Sequence, residues 1–91
     1  QAGRRPVVVV SDDLMNAGPS GLVIVVPLTE TRRDLPSHVE IDPAAGLDDA
    51  SYAKCEDVKS ISMERLVHAI GAVSHIEIDQ MKGILARLLS I

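Results

Sequence analysis

Two guanidinium groups, Arg4 and Arg5, stand directly before Pro6 and the run Val7-Val8-Val9-Val10-Ser11. A hydroxyl, Thr29, closes a second apolar run, Leu22-Val23-Ile24-Val25-Val26-Pro27-Leu28. Arginine is always charged and meets phosphate oxygens with a planar fork. Held beside a phosphodiester, it stabilises the charge that develops on the phosphorus oxygens during attack; its high pKa makes it a poor proton carrier. A threonine at a matched strand end could hydrogen-bond the same phosphate. Such a pair could hold a phosphodiester with no metal and no cofactor. The ordinary alternatives are an arginine paired with a carboxylate at a strand start and a threonine that caps a turn.

Other reactive groups offer less. His38 and His68 could form an acid–base pair on RNA, but they fall on separate predicted strands and no spacing requires them to meet. His75, at the second position of a predicted helix, is expected to be exposed. Cys55 sits beside Glu56, and a neighbouring anion raises a thiol's pKa, so it reads as a core residue. No Cys/His group has zinc spacing, and the carboxylate pairs Asp12/Asp13 and Asp48/Asp49 suit loops better than a metal cage. There is no glycine-rich phosphate loop and no Gly-x-Ser-x-Gly elbow.

The elements that would position the pair are short and β-rich. Residues 5–11 read as a strand, β-branched and too short for a buried helix, with Pro6 near its beginning. Asp12 to Gly21 reads as a loop. Residues 22–29 form a second buried strand, in which Pro27 predicts a bulge or an edge. Thr29 to Ser37 is a polar connection. His38-Val39-Glu40-Ile41-Asp42 alternates, with Val39 and Ile41 inward, and Pro43 to Ala50 turns. Ser51 to Ser62 alternates again with a bend near Glu56. Met63 to Leu66 suits one helical turn, and His68 to Val73 a short strand in which Gly71 marks a bulge or a close backbone contact. Ser74 and Glu77 spell a capping box, followed by Ile78, Met81, Ile84, Leu85, Leu88 and Leu89 at helical spacing. Gly83 weakens that helix by roughly 1 kcal/mol relative to Ala. The helix carries more apolar surface than one small sheet would cover, which predicts packing on the sheet and on a partner. The expected fold class is mainly β: a small, strongly curved sheet or barrel closed by a C-terminal helix.

Composition agrees with one small domain. The chain has 91 residues, 46% of them hydrophobic, with one Tyr and neither Phe nor Trp, so its core must be aliphatic. At this size a single core is near its margin, and a second copy would help cover an apolar face. One cysteine rules out an internal disulfide and suits a reducing cytosol. No apolar run approaches the ~20 residues a membrane helix needs and no leader is visible, so a cytoplasmic protein with no membrane association is expected. The net charge of −4 argues against a uniformly basic nucleic-acid binder. It leaves room for a local cleft drawn from Arg4, Arg5, Arg32, Arg33, Lys54, Lys59 and Arg65.

Several stretches, in order, carry a family resemblance: Gln1 to Ser11, Val25-Val26-Pro27-Leu28-Thr29, Leu35-Pro36-Ser37-His38-Val39-Glu40, Cys55 to Ser62 and Arg65-Leu66. Together they resemble the MazF/PemK family of toxin endoribonucleases along essentially the whole chain. The resemblance implies an SH3-like or CcdB-like barrel with a C-terminal helix, acting as a homodimer. It implies metal-free cleavage of single-stranded RNA at short sequence motifs, with no cofactor, by the toxin half of a type II toxin–antitoxin pair. The 2′-hydroxyl would attack the adjacent phosphate, leaving a cyclic phosphate and a 5′-hydroxyl. The family's catalytic arginine falls on Arg5 and its threonine on Thr29. Arg4, Ser11, Asn16, Arg32, Arg33, His38 and Lys59 are the expected RNA-binding positions.

The implied protein partner is a cognate antitoxin whose disordered acidic segment would cover Arg5. Gln1 is similar to the last residue of the family's Gly-Ser-Glu-Gln segment. A single domain over 1–91 lacking the family's first strand and most of its first loop is therefore expected, with an unpaired edge. Two alternatives stay open: a catalytically impaired RNA- or antitoxin-binding module of the same fold, and a toxin directed at DNA gyrase.

Overall fold

A computed structural model describes residues 5–91, so the Arg4 expectation lies outside the described residues. In chain order the elements are β1 (Val7–Val9), α1 (Asp13–Asn16), β2 (Leu22–Thr29), β3 (His38–Ile41), β4 (Ser51–Lys54), β5 (Lys59–Ser62) and α2 (His75–Leu88). Single 3-10 turns lie at Pro43–Ala45, Cys55–Asp57 and Met63–Arg65. The strands form one antiparallel five-stranded sheet, mostly β with a C-terminal helix, as expected.

The spine is β2, whose Val/Ile-rich run suits a strand flanked on both edges. One edge pairs with β1, Val8 opposite Val26. The other edge pairs with β5 from Leu22 to Val25 and with β4 at Leu28 and Thr29. Between those two pairings, residues 54–58 stand opposite only Val26 and Pro27. Five residues against two make a corner, turned through Cys55–Asp57. The Leu28 N–H donates to Pro6 O across the β1 edge at 3.2 Å. By alternation the Pro27 nitrogen faces the corner, where the ladder is already interrupted and no N–H is needed. The bulge expected at Pro27 and the bend expected near Glu56 are one feature.

Val8, Val26, Leu28, Val39, Ile41, Ala53 and Cys55 form the core with Met81 of α2. The Cys55 thiol is pushed up by burial and then by Glu56, consistent with a core role. Ile78, Ile84 and Leu85 also pack on this cluster. Ile76 and Leu88 remain 71% and 50% exposed, so the helix does present apolar surface beyond its sheet. Among the described residues no helix is long and apolar enough to cross a membrane.

The helix is fastened at its start. Ser74 Oγ accepts from the Glu77 N–H at 3.1 Å, and Glu77 Oε1 accepts from the Ser74 N–H at 3.0 Å. The other carboxylate oxygen, Oε2, accepts from the Asp42 N–H at the end of β3 at 2.8 Å. Partial burial pushes the Glu77 carboxyl up, but these hydrogen bonds outweigh it and hold the pKa below the ordinary value. The lowered folded pKa means that the stabilisation is complete above the unfolded value of about 4.3 and is lost as pH falls through the folded one. Glu77→Gln should therefore lower stability at pH 7 by about 1 kcal/mol. The loss should shrink on acidification, read from urea midpoints between pH 7 and 3. An equal loss at both ends of that range would remove the carboxylate from this role.

Three expectations change. The strand expected over 5–11 is only Val7–Val9, because Ser11 turns away to bond α1. The expected loop at 12–21 holds a single helical turn, Asp13–Asn16, capped by Asp12 Oδ1 accepting from the Leu14 N–H at 3.1 Å. His68 to Val73 is not a strand. Ile70 there is half exposed, and the segment lies instead against the Pro43–Ala45 turn. Gly71 does make the close backbone contact expected of it: a Cβ built there would stand 1.6 Å from Ala45 O.

Candidate active site

The β1–β2 register decides what faces what. Val7 pairs with Pro27, and the Leu28 N–H to Pro6 O bond carries the ladder one step further. Continued one step beyond that bond, the register puts Arg5, two residues before β1, on the side of Thr29. Arg5 and Thr29 line one open concavity of about 310 Å³, together with Pro6, Leu28, Glu30 and Ser51.

Thr29 also fulfils the ordinary role of its type. Its Oγ1 accepts from the Thr31 N–H at 3.1 Å, shaping the turn after β2. That contact uses a lone pair and leaves the O–H to donate. Ser51 is 2% exposed, and its Oγ donates to Asp49 O at 3.3 Å at the base of the concavity. The same row continues across the sheet, because Thr29 pairs with Tyr52 of β4 and Tyr52 with Glu40 of β3. A hydroxyl, an aromatic ring and a carboxylate thus occupy three successive strand positions on one face, and the Arg5 guanidinium shares the recess of the hydroxyl.

The remaining candidates scatter. Ser11 and Asn16 are bonded to each other: Ser11 Oγ donates to Asn16 Oδ1, and Asn16 Nδ2 donates to Ser11 O at 3.2 Å. Ser11 Oγ also accepts from the Ile24 N–H at 3.0 Å. They sit beyond the far end of β1, about 20 Å from Arg5 at strand rise. Arg32 is exposed and paired with Asp34 at 2.7 Å, which holds its guanidinium pKa above the ordinary value; Arg33 is exposed on the same connection. Lys59 pairs with Val25 and so shares the pleat face of Thr29, four residues, or about 13 Å, along β2.

His38 is nearly enclosed, its side chain 4% exposed, with Nε2 at 2.9 Å from Glu56 Oε2. Partial burial pushes the Glu56 carboxyl up. Hydrogen bonds from Ser37, at 2.7 Å, from the Glu56 backbone and from His38 outweigh it and hold the Glu56 pKa below its ordinary value. His68 is exposed on the segment after β5, and His75 is exposed at the start of α2. No register brings His38 and His68 together. Among the described residues no three His, Cys, Asp or Glu side chains cluster to hold a metal. Sequence reading missed Glu30, Ser51 and Tyr52. Only Tyr52 carried a signal, as the chain's single aromatic residue.

Comparison with known proteins agrees with this architecture. Residues 1–89 match the family of PemK-like, MazF-like toxins of type II toxin–antitoxin systems. Endoribonuclease MazF9 of Mycobacterium tuberculosis is 37% identical over 84 residues, which cover 86% of this chain and 71% of that protein. Endoribonuclease EndoA of Bacillus subtilis is 31% identical over 83 residues, covering 89% and 69%. Among solved structures, a mycobacterial endoribonuclease in complex with its cognate antitoxin superposes with a TM-score of 0.87 at 26% identity, covering 99% of this chain and 84% of that one. The Mycobacterium tuberculosis toxin MazF-mt6 superposes at 0.86 with 23% identity, covering 96% and 87%.

Proposed function

This chain belongs to the family of PemK-like, MazF-like toxins of type II toxin–antitoxin systems, and from that premise we propose that it is an endoribonuclease cutting single-stranded RNA at the Arg5–Thr29 concavity. The observation that supports the reading is the shared lining: a guanidinium and a hydroxyl border one open recess. A phosphodiester seated there would meet the Arg5 fork on its non-bridging oxygens and the Thr29 O–H beside it. The ribose 2′-oxygen attacks the adjacent phosphorus and gives its proton to solvent, and the bond from phosphorus to the 5′-oxygen breaks. That oxygen takes a proton from solvent, so the products are a 2′,3′-cyclic phosphate and a 5′-hydroxyl. Arg5 offsets the charge gathered on phosphorus oxygens and hydrogen-bonds the leaving oxygen. Thr29 fixes the phosphate.

Family membership also supports a homodimer and a cognate antitoxin as partner. The antitoxin-bound mycobacterial relative and the exposed apolar end of α2 are consistent with both. Selection of a short RNA motif would fall to the segments around the recess.

The test is cleavage of a long single-stranded RNA in EDTA, with cut ends mapped by primer extension. Cuts should persist in EDTA and leave 5′-hydroxyls, which ligate only after phosphorylation. Thr29→Val should slow cutting about ten- to a hundredfold, and Thr29→Ser much less, since Ser restores the donor. Loss of all cutting in EDTA, 5′-phosphate ends, or tight binding of RNA that stays intact would each overturn the mechanism.

A further inference from the structure

We propose that the recess beside Tyr52 is a nucleobase subsite, which stacks the base flanking the scissile phosphate and selects one bearing an exocyclic amino group. It rests on the endoribonuclease reading for the place of that phosphate. Thr29, Tyr52 and Glu40 pair in one row across β2, β4 and β3, and Arg5 shares the recess of Thr29. At about 4.8 Å per strand, the ring stands one step from the hydroxyl. A nucleotide whose phosphate lies between Arg5 and Thr29 therefore brings its base over Tyr52. Tyr52 is the chain's only aromatic residue, and it lines a second open concavity of about 320 Å³ with Arg32, Leu35, Pro36, His38 and Glu40. Leu35 and Pro36 add apolar wall to a ring that offers a π-face, the surface on which single-stranded bases stack.

The polar groups of the recess favour a donor. The Glu40 carboxylate accepts only. Arg32 gives its Nε–H to Asp34 and keeps its terminal N–H groups, while the Asp34 carboxylate adds a second acceptor-only group to the lining. Cytosine, adenine and guanine bring an amino group to such walls. Uracil brings one ring N–H between two carbonyls and is disfavoured.

The single tyrosine makes the test direct, because intrinsic fluorescence arises from Tyr52 alone. Short single-stranded oligonucleotides taken from an RNA the chain binds, blocked with 2′-O-methyl groups, are made abasic at each position in turn. One abasic position should abolish quenching of Tyr52 emission and weaken binding about tenfold. Tyr52→Ala should lose the same tenfold with no further loss at that position, and Tyr52→Phe should keep wild-type affinity. Glu40→Gln should reduce the preference for an amino-bearing base over uracil to within twofold. Thermal melts of each variant exclude misfolding. Binding by Tyr52→Ala within twofold of wild type, or losses that add to the abasic loss, would overturn the subsite. RNA that is bound with Tyr52-dependent preference yet never cut would overturn the nuclease reading alone.

Discussion

Arg5→Ala should lower the rate of RNA cleavage about a thousandfold while leaving the melting temperature close to wild type. The magnitude follows from the task. A single preorganised donor aimed at developing charge is worth about 10² to 10³ in rate, and an arginine at a reacting phosphoryl group about 10³ to 10⁵. Arg5 is exposed at the rim of its concavity, outside the apolar core, so truncating it removes little packing. Arg5→Lys should recover only a small part, since a point charge cannot match two phosphate oxygens as a planar fork does. The loss should fall mainly on the chemical step, visible in single-turnover cleavage at saturating protein. His38→Ala gives the contrast: its ring is nearly enclosed and its Nε2 is hydrogen-bonded to Glu56, so its loss should be far smaller than that of Arg5. A drop under tenfold for Arg5→Ala, or an equal drop for His38→Ala, would remove the guanidinium from the centre of the mechanism.

The pairing behind that prediction was only half legible beforehand. Residue type made Arg5 and Thr29 candidates, and hydrophobic runs placed both near strand ends; β2 spans Leu22–Thr29 as its composition implies. That they border one recess depends on register, which one residue of slip would have inverted. Register is a property of the paired state, set here by Val7 opposite Pro27 and by the corner that receives Pro27. Tyr52 stayed hidden for the same reason, because its neighbours are Thr29 and Glu40 across strands, far away in sequence. Ser11 and Asn16 misled in the other direction. Polar residues in a Gly/Pro-rich loop resemble binding groups, yet these two are bonded to each other and to the backbone of β2. The false strand at 68–73 arose because apolar residues near a glycine fit a strand as well as an extended segment packed on a turn.

That segment gives the second large effect, on stability. Gly71→Ala should lower the melting temperature by roughly 10–20 °C, whereas Gly83→Ala should raise it by about 4–8 °C. The two glycines differ in their surroundings. A Cβ at Gly71 would stand 1.6 Å from Ala45 O and one at Gly46 2.0 Å from Ile70 O, so two glycines allow two backbones to touch. Neither obstacle is a flexible side chain, and the segment would have to lift off the Pro43–Ala45 turn. Overpacking of this kind costs about 1–3 kcal/mol, and each kcal/mol shifts a domain of this size by roughly 4–8 °C. The same turn begins at Asp42, whose N–H holds Glu77 at the start of α2. Glycine contact and carboxylate bond are thus two fastenings of one joint, and Gly71→Ala combined with Glu77→Gln should cost less than the sum of the two. Gly83 lies inside α2 with nothing within 4 Å of its missing Cβ. Alanine there only relieves the entropy of a helical glycine, about 1 kcal/mol. A Gly71→Ala protein melting within 2 °C of wild type would mean that the segment yields freely and that the joint does not hold the helix.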